Sequence, residues 1–229
     1  MNVLAGRNVG KATRRQWLAH CSLLALAAAA VRPSRAAATA LAKKPPLVLV
    51  VGDSLSAEYG LARGSGWVAL LEKRLAQQKL AATVVNASIS GDTTSGGRAR
   101  LAALLAQHRP THVVLELGGN DALRGLPLGM TQDNLREMAR AARAAGAKVL
   151  VVGMQVPPNY GRQYAQDFAA LFARVAQTEG AALVPFLLAG VADSPQAESL
   201  FQADRIHPSA AAHPRILDNV WPVLAPLLR

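Results

Sequence analysis

From residue 44 onward, short apolar runs alternate with longer amphipathic ones, and this alternation restricts the fold more than any other feature of the chain. The runs at 47–51 (LVLVV) and 149–152 (VLVV) consist only of Val and Leu. Strands without a polar face are typical of parallel sheets that are covered by helices on both sides. We therefore predict an α/β fold.

The pattern places five strands and five helices along the chain. We predict strands at 47–51, 83–86, 112–117, 148–153 and 182–185, and helices at 67–78, 95–107, 131–145, 164–179 and 210–228. We expect a flavodoxin-like, three-layer α/β/α arrangement with a five-stranded parallel sheet in the order 2-1-3-4-5. Ligands of such sheets bind beyond the carboxyl ends of the strands, near the point where the strand order reverses.

Polar motifs follow each of the first three predicted strands. Ser54 lies in GDSLS, Gly91 in SGDTT and Asn120 in GGND. A serine hydroxyl becomes a nucleophile when a neighbouring imidazole accepts its proton. The backbone N–H groups of Ser54 and Gly91 and the side-chain amide of Asn120 are the donor types of an oxyanion hole. Each motif alone also fits a tight turn or a helix N-cap.

Asp204 and His207, near the C-terminus, complete a Ser…Asp…His order. In a tight 3₁₀-like turn the carboxylate reaches one imidazole nitrogen, while the other nitrogen faces the serine. We predict Ser54 as the nucleophile, His207 as its base and Asp204 as the group that orients His207. An Asp-x-x-His pair alone also fits a capping carboxylate beside a surface histidine. The rival bases occupy a predicted helix end, a strand and the last helix: His108, His112 and His213.

The N-terminal segment has the composition of an export signal. Residues 1–42 contain six basic and no acidic residues, an apolar stretch at 21–31, and small residues that end in ALA. The apolar stretch is too short to span a bilayer, so we expect a cleaved signal and no stable membrane anchor. Arg14 and Arg15 fit the twin-arginine route, and the general secretory route remains equally open. We expect a domain at 43–229 in the periplasm or outside the cell.

The positive charge does not indicate a nucleic-acid partner. Removal of residues 1–42 lowers the formal net charge from +11 to +5 and removes Cys21, the one cysteine. No His, Cys or carboxylate cluster has metal-ligand spacing, and no dinucleotide fingerprint is present. We expect a monomer that needs neither metal nor cofactor and that acts on a small acyl ester or thioester.

The four motifs, in this order, resemble the signature blocks of the SGNH or GDSL hydrolases, and more narrowly the bacterial periplasmic thioesterase, arylesterase and lysophospholipase group. The resemblance covers residues 47–228 and includes PNYG after strand four. It implies the same nucleophile, base and oxyanion donors. It also implies a rim at residues 123–128 that shapes an acyl pocket, with substrate contacts from Leu123, Leu126 and Tyr160.

The chain departs from the family pattern at Glu58, where relatives commonly carry Gly, and at Ser209, where Asn often follows the His-Pro pair. We expect the first change to place a charge at the pocket mouth and to disfavour long acyl chains. A carbohydrate or peptidoglycan O-deacetylase is the alternative within the same chemistry, because the fold does not fix the substrate. A lipid-binding module without a reactive serine is the alternative outside it.

Overall fold

A computed structural model of the chain describes residues 45–229, and within them the five predicted strands form one parallel sheet. The observed bounds are β1 Leu47–Gly52, β2 Thr83–Asn86, β3 His112–Glu116, β4 Lys148–Val152 and β5 Ala182–Val184. Each strand is within one residue of its prediction at both ends. The strand order is β2-β1-β3-β4-β5, which confirms the predicted order.

Helices cover both faces of this sheet, as the apolar strands predict. The α-helices are α1 Trp67–Gln77, α2 Thr94–His108, α3 Gly119–Leu123, α4 Leu128–Ala144, α5 Arg162–Glu179, α6 Ala197–Leu200 and α7 His213–Leu227, with 3₁₀ turns at Pro158–Tyr160 and Ala210–Ala212. On one face α2 packs against α4 and α4 packs against α5, while α1 packs against α7 on the other. The three-layer α/β/α fold is therefore confirmed.

The core lies on both sides of the two central strands. Val48 to Val51 of β1 and Val113 to Leu115 of β3 have no exposed surface. Burial of each such side chain contributes about 1.5–3 kcal/mol. These strands give the loops at their carboxyl ends a rigid base.

Three short elements escaped the sequence pattern. Helix α3 begins at the second glycine of GGND, and Gly118 before it has a φ of 125°, a value that favours glycine. Helix α6 and the 3₁₀ turn Pro158–Tyr160 are too short to show a helical period. Helix α4 also starts three residues earlier than predicted, directly after Pro127. The predicted export segment at 1–42 and the domain boundary at 43 lie outside the described residues.

Candidate active site

Ser54 follows directly from the end of β1, where the chain turns sharply. The N–H groups of Ser56 and Ala57 both donate to the Asp53 carbonyl, at 3.3 and 3.0 Å. Gly52 permits this turn, because a Cβ atom there would lie 2.7 Å from Glu116 Oε2 and 2.9 Å from the Ser56 side chain. The turn therefore leaves the Ser54 side chain half-buried and facing a cavity.

Asp204 and His207 lie on a loop that a β-bridge between Phe201 and Pro208 closes. The Gln202 N–H donates to the His207 carbonyl at 2.7 Å. Asp204 Oδ1 accepts the N–H groups of Ile206 and His207, at 2.9 and 3.0 Å. The loop is thus a hairpin-like turn fixed by the aspartate side chain, whereas a 3₁₀-like turn was expected.

The structure brings Asp204, His207 and Ser54 into one hydrogen-bonded chain. His207 Nδ1 lies 2.7 Å from Asp204 Oδ2, and His207 Nε2 lies 2.8 Å from Ser54 Oγ. Because a carboxylate only accepts hydrogen bonds, the neutral imidazole carries its proton on Nδ1 and accepts at Nε2. Hydrogen bonds from the His207 backbone, the His207 ring and the Ile206 backbone lower the pKa of Asp204 to about 2. Asp204 is therefore ionised whenever His207 acts as a base.

Two further residues hold the His207 loop against the β1 loop, and the sequence did not reveal either. The Tyr59 ring lies 4.3 Å from the His207 ring, centroid to centroid. Gln202 Nε2 donates to the carbonyls of Tyr59 and Pro208, at 2.9 and 3.0 Å. The two contacts that involve Tyr59 join segments more than 140 residues apart, so spacing along the chain carries no signal for them.

The three predicted oxyanion donors line the same cavity as Ser54 and His207. Gly91 has a φ of 79°, which favours glycine, and its carbonyl accepts a 2.8 Å bond from the Arg124 guanidinium. Within residues 45–229 the N–H groups of Ser54 and Gly91 have no hydrogen-bond acceptor. Both backbone donors are thus available to a substrate oxygen.

Asn120 lies in the first turn of α3, and its neighbour Asp121 ties this helix to the start of α2. The buried Asp121 carboxylate accepts the backbone N–H of Thr94 at 2.9 Å, the Thr94 hydroxyl, and the Thr131 hydroxyl at 3.2 Å. Thr94 comes three residues after Gly91. One buried carboxylate therefore connects the helix of Asn120 with the loop of Gly91.

The cavity at these groups has a volume of about 650 Å³ and mainly apolar walls. Leu123 lines it, as the family resemblance implied, but Leu126 and Tyr160 do not. The Leu126 N–H closes the turn after α3 on the Asp121 carbonyl, and the Tyr160 ring stacks on Tyr164 at 6.2 Å. Other apolar side chains form the walls: Leu55, Tyr59, Met154, Val156, Pro157, Phe186, Leu188, Phe201 and Ile206.

Glu58 does not place a charge at the mouth of this cavity, contrary to the expectation. Its carboxylate accepts the N–H groups of Gly64, at 2.9 and 3.1 Å, and of Gly66, at 2.7 Å. Glu58 has a left-handed φ of 59°, which explains why a glycine suits this position in relatives. Its side chain therefore stabilises the loop before α1 and is not part of the cavity wall.

Two of the three rival histidines, His213 and His112, have structural partners away from the cavity. His213 Nδ1 accepts the Trp67 N–H at 2.9 Å, and burial lowers the pKa of His213. The His112 ring lies 2.8 Å from both the Thr111 hydroxyl and the Leu227 carbonyl, and burial lowers its pKa as well. His207 is therefore the histidine that the fold presents to Ser54.

In the part of the chain from residue 45 onward, no group of three or more His, Cys, Asp or Glu side chains is arranged to hold a metal ion.

Two buried carboxyl groups lie beneath Ser54. Asp53 is 1% exposed, and this burial raises its pKa to about 6 although Leu55 and Asn120 donate hydrogen bonds to it. Glu116 is fully buried, and burial together with the nearby Asp53 raises its pKa well above the ordinary value. Burial therefore favours the neutral form of Glu116, while Asp53 is ionised above about pH 6.

Comparison with known proteins gives a consistent result. The family model described as "GDSL-like Lipase/Acylhydrolase family" matches residues 50–215. Esterase TesA of Pseudomonas aeruginosa is 57% identical over 181 residues, which are 79% of this chain and 89% of that protein. Thioesterase 1/protease 1/lysophospholipase L1 of Escherichia coli K12 is 43% identical over 79% of this chain and 84% of its own. A crystal structure of TesA superimposes with a TM-score of 0.76 at 56% identity, and covers 79% of this chain and 99% of that one.

Proposed function

The chain belongs to the GDSL-like lipase/acylhydrolase family, the SGNH hydrolases, and from this premise we propose that Ser54 is its nucleophile, His207 its general base and Asp204 the group that orients His207. The protein is a serine hydrolase of carboxylic esters and thioesters. The observation that carries the residue assignment is the unbroken chain from Asp204 through His207 to Ser54. This chain ends at a cavity with two backbone N–H groups that have no acceptor within residues 45–229.

The first half of the reaction forms an acyl-enzyme. His207 Nε2 takes the Ser54 proton as Oγ attacks the carbonyl carbon of the substrate. The N–H groups of Ser54 and Gly91 and the Asn120 amide donate to the resulting oxyanion. His207 then gives its proton to the departing alcohol or thiol.

The second half returns the enzyme to its starting state. A water molecule gives a proton to His207 Nε2 and attacks the acyl carbon, and Ser54 leaves with the proton from His207. Asp204 remains ionised throughout, because three hydrogen bonds hold its pKa at about 2. It stabilises the imidazolium in both halves.

We propose a medium or long acyl chain as the preferred substrate group. A cavity of about 650 Å³ with mainly apolar walls would remain mostly empty around an acetyl group. The thioesterase and lysophospholipase activities in the name of the E. coli relative agree with such an acyl chain. The mainly apolar walls suit an acyl chain better than a sugar, so a carbohydrate O-deacetylase is not favoured. The hydrogen bond between Ser54 Oγ and His207 Nε2 supports a reactive serine, so a non-catalytic lipid-binding module is not favoured either.

We propose that residues 1–42 are removed during export and that the domain from residue 43 acts in the periplasm or outside the cell. The basic residues, the apolar stretch at 21–31 and the ALA end support this proposal. Across residues 45–229, no helix has the length and apolar character to cross a membrane. N-terminal sequencing of the exported protein tests the cleavage site. Replacement of Arg14 and Arg15 by Lys stops export only if the twin-arginine route is used.

A monomer is the expected oligomeric state, since the hydrogen-bonded chain and the cavity are complete within one copy. Light scattering of the domain from residue 43 tests this state. A stable dimer would contradict it.

Hydrolysis of p-nitrophenyl esters from acetyl to palmitoyl, by the domain from residue 43 and by its Ser54→Ala variant, tests the proposed function. We expect the largest kcat/KM at a medium or long chain and no turnover by the variant. Activity restricted to acetyl and butyryl esters would contradict the proposed chain preference. Turnover by the variant at the unchanged rate would contradict the proposed nucleophile.

A further inference from the structure

Asp53, the residue before the proposed nucleophile, accepts a hydrogen bond on each of its two carboxylate oxygens. Its Oδ1 atom accepts the Leu55 N–H at 3.0 Å, and its Oδ2 atom accepts a hydrogen bond from Asn120 Nδ2, also at 3.0 Å. The side chain is almost completely buried. One carboxylate therefore connects the turn that carries Ser54 with the amide that faces the substrate oxygen.

This contact decides which end of the Asn120 amide faces which way. A carboxamide has a donor end and an acceptor end of nearly equal shape, and a half-turn about its last bond exchanges them. An ionised carboxylate only accepts, so it selects the orientation in which Nδ2 faces Asp53. The second N–H of the same nitrogen then remains available for the oxyanion.

Within the described residues, no residue other than Asp53 holds the Asn120 amide in this orientation. The network around Asp121 fixes the backbone of α3 through Thr94 and Thr131, but it does not reach the Asn120 side chain. In the described part of the chain, the bond to Asp53 is the one hydrogen bond that the Asn120 amide makes. The orientation of the amide therefore depends on a single partner.

The surroundings of Asp53 keep it an acceptor near neutral pH. Glu116 lies beneath it, and Glu116 Oε2 accepts the Ser56 hydroxyl at 2.6 Å and the Asp53 N–H at 3.4 Å. Burial raises the pKa of Glu116 well above the ordinary value and so disfavours a second anion beside Asp53. His207 and Asp92 also act on Asp53 through their charges, His207 to lower its pKa and Asp92 to raise it.

We propose that Asp53 is a positioning residue of the oxyanion hole, which holds the Asn120 amide with its donor end toward the substrate. The inference rests on the proposed function, since it requires Asn120 to be an oxyanion donor. Asp53 touches neither the substrate nor the reacting atoms. It acts through Asn120 alone.

The test is a double-mutant cycle of Asp53→Asn and Asn120→Ala, assayed with a p-nitrophenyl ester. Asparagine at 53 keeps an acceptor for the Leu55 N–H, but it presents an N–H in place of Oδ2. The Asn120 amide then turns its oxygen toward residue 53 and presents a lone pair to the oxyanion. We expect Asp53→Asn to lower kcat by roughly 10- to 100-fold with KM nearly unchanged.

In the Asn120→Ala background, we expect Asp53→Asn to change kcat by less than about twofold, because its target is already absent. If the two losses multiply instead, Asp53 acts through the Ser54 turn, and the inference is overturned. Full activity of the Asp53→Asn enzyme would overturn it as well. Thermal unfolding of all four proteins shows whether each variant is folded.

A second readout avoids dependence on turnover. An alkyl boronic acid forms a tetrahedral adduct with a reactive serine and places an oxygen in the oxyanion hole. We expect Asp53→Asn to weaken boronate inhibition by about the factor it removes from kcat, and an unchanged inhibition constant would contradict the inference.

If Asn120→Ala retains full kcat, the proposed oxyanion donor fails. If Ser54→Ala turns over normally, the nucleophile fails. Neither result resembles a failure of Asp53 alone.

Discussion

Asp204 and Asp53 each hold one group of the active site through a hydrogen bond, but their surroundings shift their pKa values in opposite directions. Asp204 binds His207 on a loop at the cavity rim, with 37% of its side chain exposed, and its pKa falls to about 2. Asp53 binds Asn120 beneath the cavity with 1% exposure, and its pKa rises to about 6. Three hydrogen bonds dominate at the first site, and burial dominates over two hydrogen bonds at the second.

The difference indicates what each aspartate contributes to the molecule. Asp204 stabilises an imidazolium that forms during the reaction, and solvent and backbone donors keep it ionised at little cost. Asp53 selects the orientation of a neutral amide, and the fold keeps its charge in an apolar interior. The charge of Asp204 at the exposed rim therefore costs little folding stability. The buried charge of Asp53 lowers the folding stability while it fixes the orientation of the Asn120 amide.

Asp204→Asn is the change with the largest expected effect on the rim side of this comparison. Asparagine offers either an oxygen or an N–H to His207, so the imidazole is no longer held with its proton on Nδ1. We expect kcat/KM to fall by roughly 10⁴, as loss of the correct tautomer does in serine hydrolases. Steady-state assays beside Asp133→Asn, an exposed aspartate on α4, check this expectation. A loss below tenfold would show that Asp204 does not orient the base.

Asp53→Asn has the next largest effect, and this effect is on stability. Because the folded-state pKa is raised from 3.8 to about 6, the contribution of Asp53 is fully present below about pH 4 and is lost as the pH rises through about 6. Asparagine does not titrate. Relative to the unchanged protein, the variant should therefore gain up to about 3 kcal/mol in unfolding free energy between about pH 4 and about pH 7.5.

Urea unfolding of both proteins at the two pH values measures this gain. Parallel stability profiles would show that Asp53 is not held as a costly anion. A gain in stability together with a loss of kcat would sharpen the contrast with Asp204, whose replacement lowers activity and offers no such gain.

Tyr59→Ala tests how firmly the rim holds its histidine. Its ring lies 4.3 Å from the ring of His207, and aromatic contacts of this kind contribute about 0.5–1.5 kcal/mol. We expect kcat to fall by about 2- to 12-fold, since His207 spends less time in the reactive orientation. Tyr59→Phe keeps the ring and should retain nearly full kcat. If both variants behave alike, the ring contact does not position His207.

Glu58→Gly should have the smallest effect. Glycine relieves the left-handed strain at φ 59°, by about 1 kcal/mol, and removes the bonds to Gly64 and Gly66, which offset that gain. We expect the unfolding free energy to change by less than about 1 kcal/mol and kcat/KM for a decanoyl ester by less than about twofold. A large rise in kcat/KM for the decanoyl ester would contradict this expectation and would indicate that Glu58 lies at the cavity mouth.

The sequence predicts the sheet well because periodicity and apolar runs are local signals. All five strands follow from them, and the order expected for a flavodoxin-like sheet is observed, so that the loops of Ser54, Gly91 and Asn120 converge. The Asp204–His207 pair was recognisable because both residues lie within one turn. Contacts between distant segments were not: Tyr59 contacts the His207 ring and accepts a bond from Gln202 across more than 140 residues, and nothing local marks Asp53 as the partner of Asn120.

The residues taken from family resemblance alone were placed less well. Leu123 lines the cavity, but Leu126 and Tyr160 do not, and Glu58 stabilises a loop. A side-chain direction depends on the local backbone, which a motif does not specify. The polar motifs therefore predict which polar side chains come together more reliably than they predict the cavity walls around them.

Peptide mapping after reaction with an alkyl fluorophosphonate tests the central claim most directly, because this reagent modifies only an activated serine. We expect one label on Ser54, no label on the Ser54→Ala variant, and strongly slowed labelling of Asp204→Asn. A label on another serine, or no label on the folded and unmodified protein, would contradict the assignment of Ser54, His207 and Asp204 as the reacting set.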